Sequence, residues 1–137
     1  MPTNANVTSR NRILIFAPDA GVMAWVESEL GGQAFSLQVA RSAREIVTAL
    51  VDDPPPRAQI LVSDFDALSA SDVLGLHAIR DRGWFGSIVA LGNVSPELRA
   101  SLSVEQVLGR PLVAEQLRTA VTRVGLDQAT RRIPKLR

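Results

Sequence analysis

Along the chain, short apolar runs alternate with longer segments whose apolar residues recur every three or four positions, and the pattern repeats five times. Arg12-Ile13-Leu14-Ile15-Phe16-Ala17 opens the series and predicts a buried strand. Behind it Asp19 stands as a helix N-cap, Val22, Val26 and Leu30 form an inward stripe, and Gly31-Gly32 predict a left-handed cap at the helix end. Phe35 to Ala40 reads as a second strand. Ser42-Ala43-Arg44-Glu45 then has the form of a capping box, ahead of a helix that turns Ile46, Ala49 and Leu50 inward. Asp53-Pro54-Pro55-Pro56 ends that helix, because proline has no amide proton to donate and restricts the residue before it.

The third apolar run, Gln59 to Ser63, stops abruptly at Asp64. Ser69-Ala70-Ser71-Asp72 caps a third helix, with Val73, Leu76 and Ile79 at helical spacing before Gly83. Ser87 to Leu91 predicts the fourth strand, Ser95-Pro96-Glu97 a short helix with proline at its first position, and Gln106-Val107-Leu108 a weak fifth strand. Pro111 reads as the start of the last helix, with Val113, Leu117, Val121 and Val124 inward. Five strand-then-helix units predict an α/β fold: a five-stranded, doubly wound parallel sheet with helices on both faces, joined by right-handed crossovers. No linker or internal repeat divides it. Residues 1–10 read as a flexible tail, 11–125 as one domain, and 126–137 as a basic tail carrying Arg131, Arg132, Lys135 and Arg137.

Composition narrows the classes. At 137 residues and 46% hydrophobic, the chain is sized for one domain around one core. The absence of cysteine excludes disulfides, thiolate nucleophiles and cysteine-ligated metal centres. Met1 to Arg12 is polar, without the apolar stretch of a signal peptide, and no later run approaches the length of a membrane span. A cytoplasmic protein with no membrane partner is therefore expected. A net charge of +1 supplies no general field for nucleic acid, so nucleic acid is not an expected partner.

Asp64 carries the most chemistry. An apolar run that ends in a carboxylate delivers it to the C-terminal edge of a parallel sheet, where ligands and reactions collect. From this point the chain resembles the receiver domain of two-component response regulators, the flavodoxin-like or CheY-like arrangement, over roughly residues 11–125. Arg12 to Phe16 looks like the receiver's first strand, and Ile60-Leu61-Val62-Ser63-Asp64 like the third strand with its phosphoacceptor. Val107-Leu108-Gly109-Arg110-Pro111-Leu112 looks like the segment that usually reads lysine then proline. The resemblance implies Asp64 as phosphoacceptor candidate and Pro111 as the proline after a cis peptide bond; a trans proline in a first helical turn is the alternative.

Departures from the receiver pattern shape the functional expectation. The two carboxylates that hold Mg²⁺ after the first strand are replaced by Ala17-Pro18, neither of which can ligate a metal. The phosphate-contacting hydroxyl falls at Leu91, the lysine at Arg110, and the aromatic switch residue at Val107; the only lysine is Lys135. Arg110 is also suited to pair with Asp64, a fixed guanidinium standing in for metal and lysine together. A metal set rebuilt from Asp19, Asp64 and Asp66 is conceivable, against the simpler reading of Asp19 and Asp66 as cap and loop residues. The expectation is a stand-alone, atypical receiver-like domain, a pseudo-receiver, with no catalytic residue and no cofactor. It would act by contact with a protein such as a histidine kinase, or as a homodimer through its fourth and fifth units. The alternatives are a phosphorylatable receiver that uses Asp64 with degenerate ligands and Mg²⁺, and a small-molecule binder on the same sheet.

Other classes have less in their favour. The loop after the first strand, Ala17-Pro18-Asp19-Ala20-Gly21, has neither a G-x-G-x-x-G nor a G-x-x-x-x-G-K-[ST] pattern, so the amide cradle for phosphate is missing. His77 is the only histidine and reads as a solvated helix position, and no serine sits in a nucleophile elbow. Trp25 and Trp84 read as packing residues.

Overall fold

The computed structural model describes residues 12–32 and 35–132. The five strands are β1 (Arg12–Phe16), β2 (Ser36–Val39), β3 (Ile60–Asp64), β4 (Ser87–Leu91) and β5 (Val104–Leu108), all parallel and in the order β2-β1-β3-β4-β5. Between them run α1 (Ala20–Leu30), α2 (Ala43–Val47), α3 (Ala70–Asp81) and α4 (Pro96–Leu102), and α5 (Gln116–Arg132) closes the chain. Strand order reverses between β1 and β3, so the carboxyl ends of these two strands flank the crevice that the topology opens.

Strand alternation divides the core in two. Leu14, Phe16, Leu61, Ile88 and Ala90 point to one face and pack with Ile46 and Leu50 of the α2 segment, Leu76 and Ile79 of α3 and Leu102 of α4. Ile13, Ile15, Val62, Val89 and Leu91 point to the other, against Val22, Val26 and Leu30 of α1 and Leu117, Val121 and Val124 of α5. The strands are apolar on both faces because helices cover both, which is why they read as continuous runs rather than alternations.

Local signals set most boundaries. Asp19 accepts from the Val22 amide at 2.9 Å, Ser42 from Glu45 at 3.2 Å, Ser69 and Asp72 form a reciprocal capping box, and Ser95 accepts from Leu98 at 3.1 Å. The end of the second helix widens into a π turn over Thr48–Asp52, closed by the Asp53 amide on the Thr48 carbonyl at 2.8 Å. At the end of α1 only Gly32 has positive φ, at 108°; Gly31 is extended, so the left-handed cap sits one residue later than the first glycine. Trp84 is buried and donates its Nε1 proton to the Ala58 carbonyl at 2.9 Å. Arg80 lies over the Trp84 ring at 5.1 Å and donates to the carbonyls of Trp84, Gly86, Leu102 and Ser103, tying two loops at the N-terminal edge of β4 and β5.

Several expectations are corrected. The last helix begins at Gln116 rather than at Pro111, and Val113 is 56% exposed rather than inward. The first amides of α5 find their acceptor in Glu29 of α1, a tertiary contact that local spacing does not announce. The last helix also continues to Arg132, past the boundary expected at 125, and Gln128 donates to the Gln59 carbonyl and the Ser87 hydroxyl, both at 2.8 Å. Val73, expected inward, and His77, expected in solvent, are both half-buried. The expected N-terminal tail, residues 1–10, and residues 133–137 of the basic tail lie outside the described residues.

Trp84→Phe is expected to lower stability by about 1–3 kcal/mol in urea denaturation, because it strands the buried Ala58 carbonyl while preserving most of the ring's packing.

Candidate functional site

The carboxyl ends of β3 and β5 bring three charged side chains together. Asp64 ends β3 and is 2% exposed; as N-cap of the short turn Phe65–Ala67 it accepts the Asp66 amide at 3.1 Å. That turn swings Asp66 back over the sheet edge. Its Oδ1 accepts the Asn93 amide at 3.0 Å, from the loop that follows β4. Arg110, two residues beyond β5, donates from Nε to Asp66 Oδ2 at 2.7 Å and from Nη2 to Asp64 Oδ1 and Oδ2 at 3.3 and 3.4 Å. One guanidinium thus bridges two carboxylates, using the forked donor geometry that lysine lacks. The Arg110–Pro111 peptide bond is cis.

Backbone freedom at Gly92 makes the approach of Asp66 possible. Its φ is +97°, a region that side chains disfavour, and a Cβ there would run into the Asp66 carboxylate. Leu91, in register with Asp64 on β4, is fully buried among apolar neighbours. It offers no hydroxyl to the site. Ala17 is buried, and Asp19 spends Oδ2 on the α1 cap.

The two carboxylates respond in opposite directions. Burial pushes the Asp64 carboxyl above its ordinary value of 3.8; the Arg110 charge and the Asp66 amide oppose this but do not overcome it, and the charges of Asp66 and Asp19 add to the rise. Asp66 is held below 3.8, chiefly by its hydrogen bond from Arg110 and then by the Asn93 amide. The difference follows the distances, since Arg110 is nearer Asp66 and Asp64 is the more deeply buried. Arg110 itself is raised, first through its bond to Asp66.

The residues present do not fit a Mg²⁺ site. Ala17 and Pro18 supply no side-chain oxygen after β1, and a fixed cation already bonds to both carboxylates. Among the described residues, no three Asp, Glu or His side chains come near enough to hold a metal ion. Asp64, Asp66, Arg110 and Pro111 therefore share one site, with Asp19 at its margin and Leu91 beneath it.

Glu29 and the Gly92-Asn93 turn were not picked out by the sequence pattern, although each left a trace. Glu29 falls seven residues after Val22 and three after Val26, a charged residue on an inward stripe. Gly92-Asn93 is a turn dipeptide directly after an apolar strand.

A five-stranded parallel sheet in this order, with helices on both faces, is the fold of CheY-like response-regulator receiver domains. A CheY-like receiver domain protein from Methanospirillum hungatei superposes with a TM-score of 0.73 at 14% identity, covering 88% of this chain and 98% of that one. The signal receiver domain of an HD domain-containing protein from Pseudomonas fluorescens gives 0.72 at 18% identity, with 93% and 96% covered. A pilus assembly-related protein from Burkholderia pseudomallei gives 0.68 at 19% identity, with 87% and 92% covered. No family model matches the chain, and no curated protein matches it in sequence. Among the described residues no helix is long and apolar enough to cross a membrane.

Three outcomes are expected of the site. The Asp66 carboxyl, lowered on folding, contributes stability that is present above its unfolded value near 3.8 and lost as pH falls through the folded value. Asp64, raised on folding, has the opposite sign: its contribution is greatest below 3.8 and is lost as pH rises through its folded value, so its charge opposes folding at neutral pH. Asp64→Asn is therefore expected to raise the urea midpoint at pH 7 and Asp66→Asn to lower it, as pH-dependent denaturation curves would show. Gly92→Ala should cost about 1–3 kcal/mol on the same assay, through strain at positive φ and displacement of Asp66.

Proposed function

We propose that the chain is a receiver-like signalling domain of the pseudo-receiver type, acting through protein contacts and without Mg²⁺-dependent phosphorylation of Asp64. The observation that carries this reading is the Arg110 guanidinium bonded to Asp64 and Asp66 together. Phosphoryl transfer to a carboxylate gathers several negative oxygens at one point, and a divalent cation is what normally neutralises them. Here the neutralising charge is covalently part of the chain, and the guanidinium does not lose its proton in a protein. Such a site holds one arrangement of the β3 and β5 loops instead of alternating between two. Leu91 and Val107, without a hydroxyl or a ring, are in keeping with that fixed state.

A domain of this kind signals by what touches it. The face built from β5 and α5 supports that role: a shallow cavity of about 370 Å³ there is lined by Gln106, Leu108, Glu115, Gln116, Thr119 and Arg123 among others. A signalling protein such as a histidine kinase, or a second copy of the chain, is the partner class this reading assigns. No residue is assigned a catalytic role.

The test is a titration of the ¹⁵N-labelled chain with Mg²⁺ and beryllofluoride, following the amides of Asp64, Leu91 and Arg110. The expected result is no saturable shift at millimolar Mg²⁺. Saturable shifts that disappear in Asp64→Asn would replace this reading with that of a phosphorylatable receiver.

A further inference from the structure

Glu29 is a buried carboxylate with no part in the site described above. It lies on the inward stripe of α1, yet both of its oxygens are spent on α5: Oε2 accepts the Glu115 amide at 2.9 Å, and Oε1 accepts the amides of Leu117 and Arg118 at 3.0 and 3.3 Å. Arg118 returns a bond from Nε to the Glu29 carbonyl at 3.1 Å. Helix starts leave amides unsatisfied and favour negative charge, and a nearby Ser, Thr, Asp or Asn usually answers both needs. Here the cap comes from another helix, 86 to 89 residues away in sequence. Glu115, held by that carboxylate, has φ of +69°, an uncommon conformation for a residue with a side chain.

The segment from Gly109 to Glu115 is therefore fastened at both ends, by Arg110 to Asp64 and Asp66 and by Glu115 to Glu29. Its middle borders an open groove of about 690 Å³, with Asp19, Val22 and Trp25 of the α1 side on one wall and Arg110, Pro111 and Leu112 on the other. Val113 is exposed, and Leu112 is only half-buried. Between the two ends Leu112 packs against the core cluster shared by α1 and α5, so a displacement at one end is passed along the segment to the other.

We propose that residues 109–115 form a strap pinned at two points, and that Glu29 is a positioning residue that sets the Arg110 contact through it. Loosening either pin shifts the other. The surface of α5 is thereby coupled to the carboxylates at the sheet edge without any ligand. This holds whether or not Asp64 accepts a phosphoryl group, so its test stands apart from the beryllofluoride experiment.

The full chain, ¹⁵N-labelled, supplies reporters at both ends: the Arg110 Nε proton with the Asn93 amide, and the amides of Leu117 and Arg118. Glu29→Gln keeps the side-chain volume and removes the charge. It is expected to shift the Leu117 and Arg118 amides directly and, through the strap, to quicken hydrogen exchange at Arg110 Nε on the order of tenfold. Arg110→Ala, at a side chain that is 41% exposed, is expected to quicken exchange at Leu117 and Arg118 by a similar factor. Arg82→Ala, which breaks only the Asp52 ion pair at the opposite edge of the sheet, should move neither set. Should Glu29→Gln perturb α5 while Arg110 Nε and Asn93 stay unchanged, Glu29 is a helix cap and nothing more, and the proposal fails. Should Glu29→Gln not fold, Arg110→Ala decides alone, and silence at Leu117 and Arg118 overturns the proposal.

Discussion

The guanidinium of Arg110 has two carboxylates to satisfy, and the arrangement of the sheet's C-terminal edge follows from that demand. Asp64 is delivered by a strand buried on both faces, and a carboxylate there would stand uncompensated without a cation. Asp66, brought back by a single tight turn, gives the same cation a second partner. The loops after β3, β4 and β5 are joined by these contacts, since Asn93 also binds Asp66. Arg110 and Asp66 are partly exposed, and the cost of burial falls chiefly on Asp64. The upward shift of Asp64 expresses that cost, which the Arg110 charge offsets only in part.

Fold and chemistry separate in this molecule. The sheet, its order and its helical layers are those of receiver domains, with matches that cover nearly the whole of each neighbour at identities of 14 to 19% for the three compared above. At such identity the likeness concerns architecture, and function rests on the site. In this chain Ala17 and Pro18 follow β1, and the guanidinium after β5 bonds to both carboxylates of the sheet edge.

Two helices that meet on the same face of the sheet, α1 and α5, also meet through a buried carboxylate. Glu29 does for α5 what Asp19 does for α1, but from across the fold. Placing a cap on a distant element makes the position of a helix depend on tertiary packing. The Arg110 loop leads directly into α5, which is the route the proposed strap would use.

Apolar runs at Ile13 to Phe16, Ile60 to Val62 and Ile88 to Leu91, separated by capped helices, left few alternatives to a parallel sheet covered on both sides, because nothing else buries such strands. Strand direction assigns Asp64, Ala17-Pro18 and Arg110 to one edge of the sheet, whereas the expectation of carboxylates at Ala17-Pro18 came only from the resemblance to receivers. Local chemistry also fixed the caps at Asp19, Ser42, Ser69 and Ser95, each of which acts within three residues of itself. The start of the last helix was not legible. Pro111 and Val113 fit a first turn by local rules, but the acceptor that decides the matter is Glu29, in another helix. Nor could spacing show that Asp66 shares Arg110 with Asp64, or that Gly92 makes room for it, because 44 residues separate Arg110 from Asp66 in the chain. Periodicity reports which face a residue presents, whereas the partner it meets on that face is decided only when the layers close.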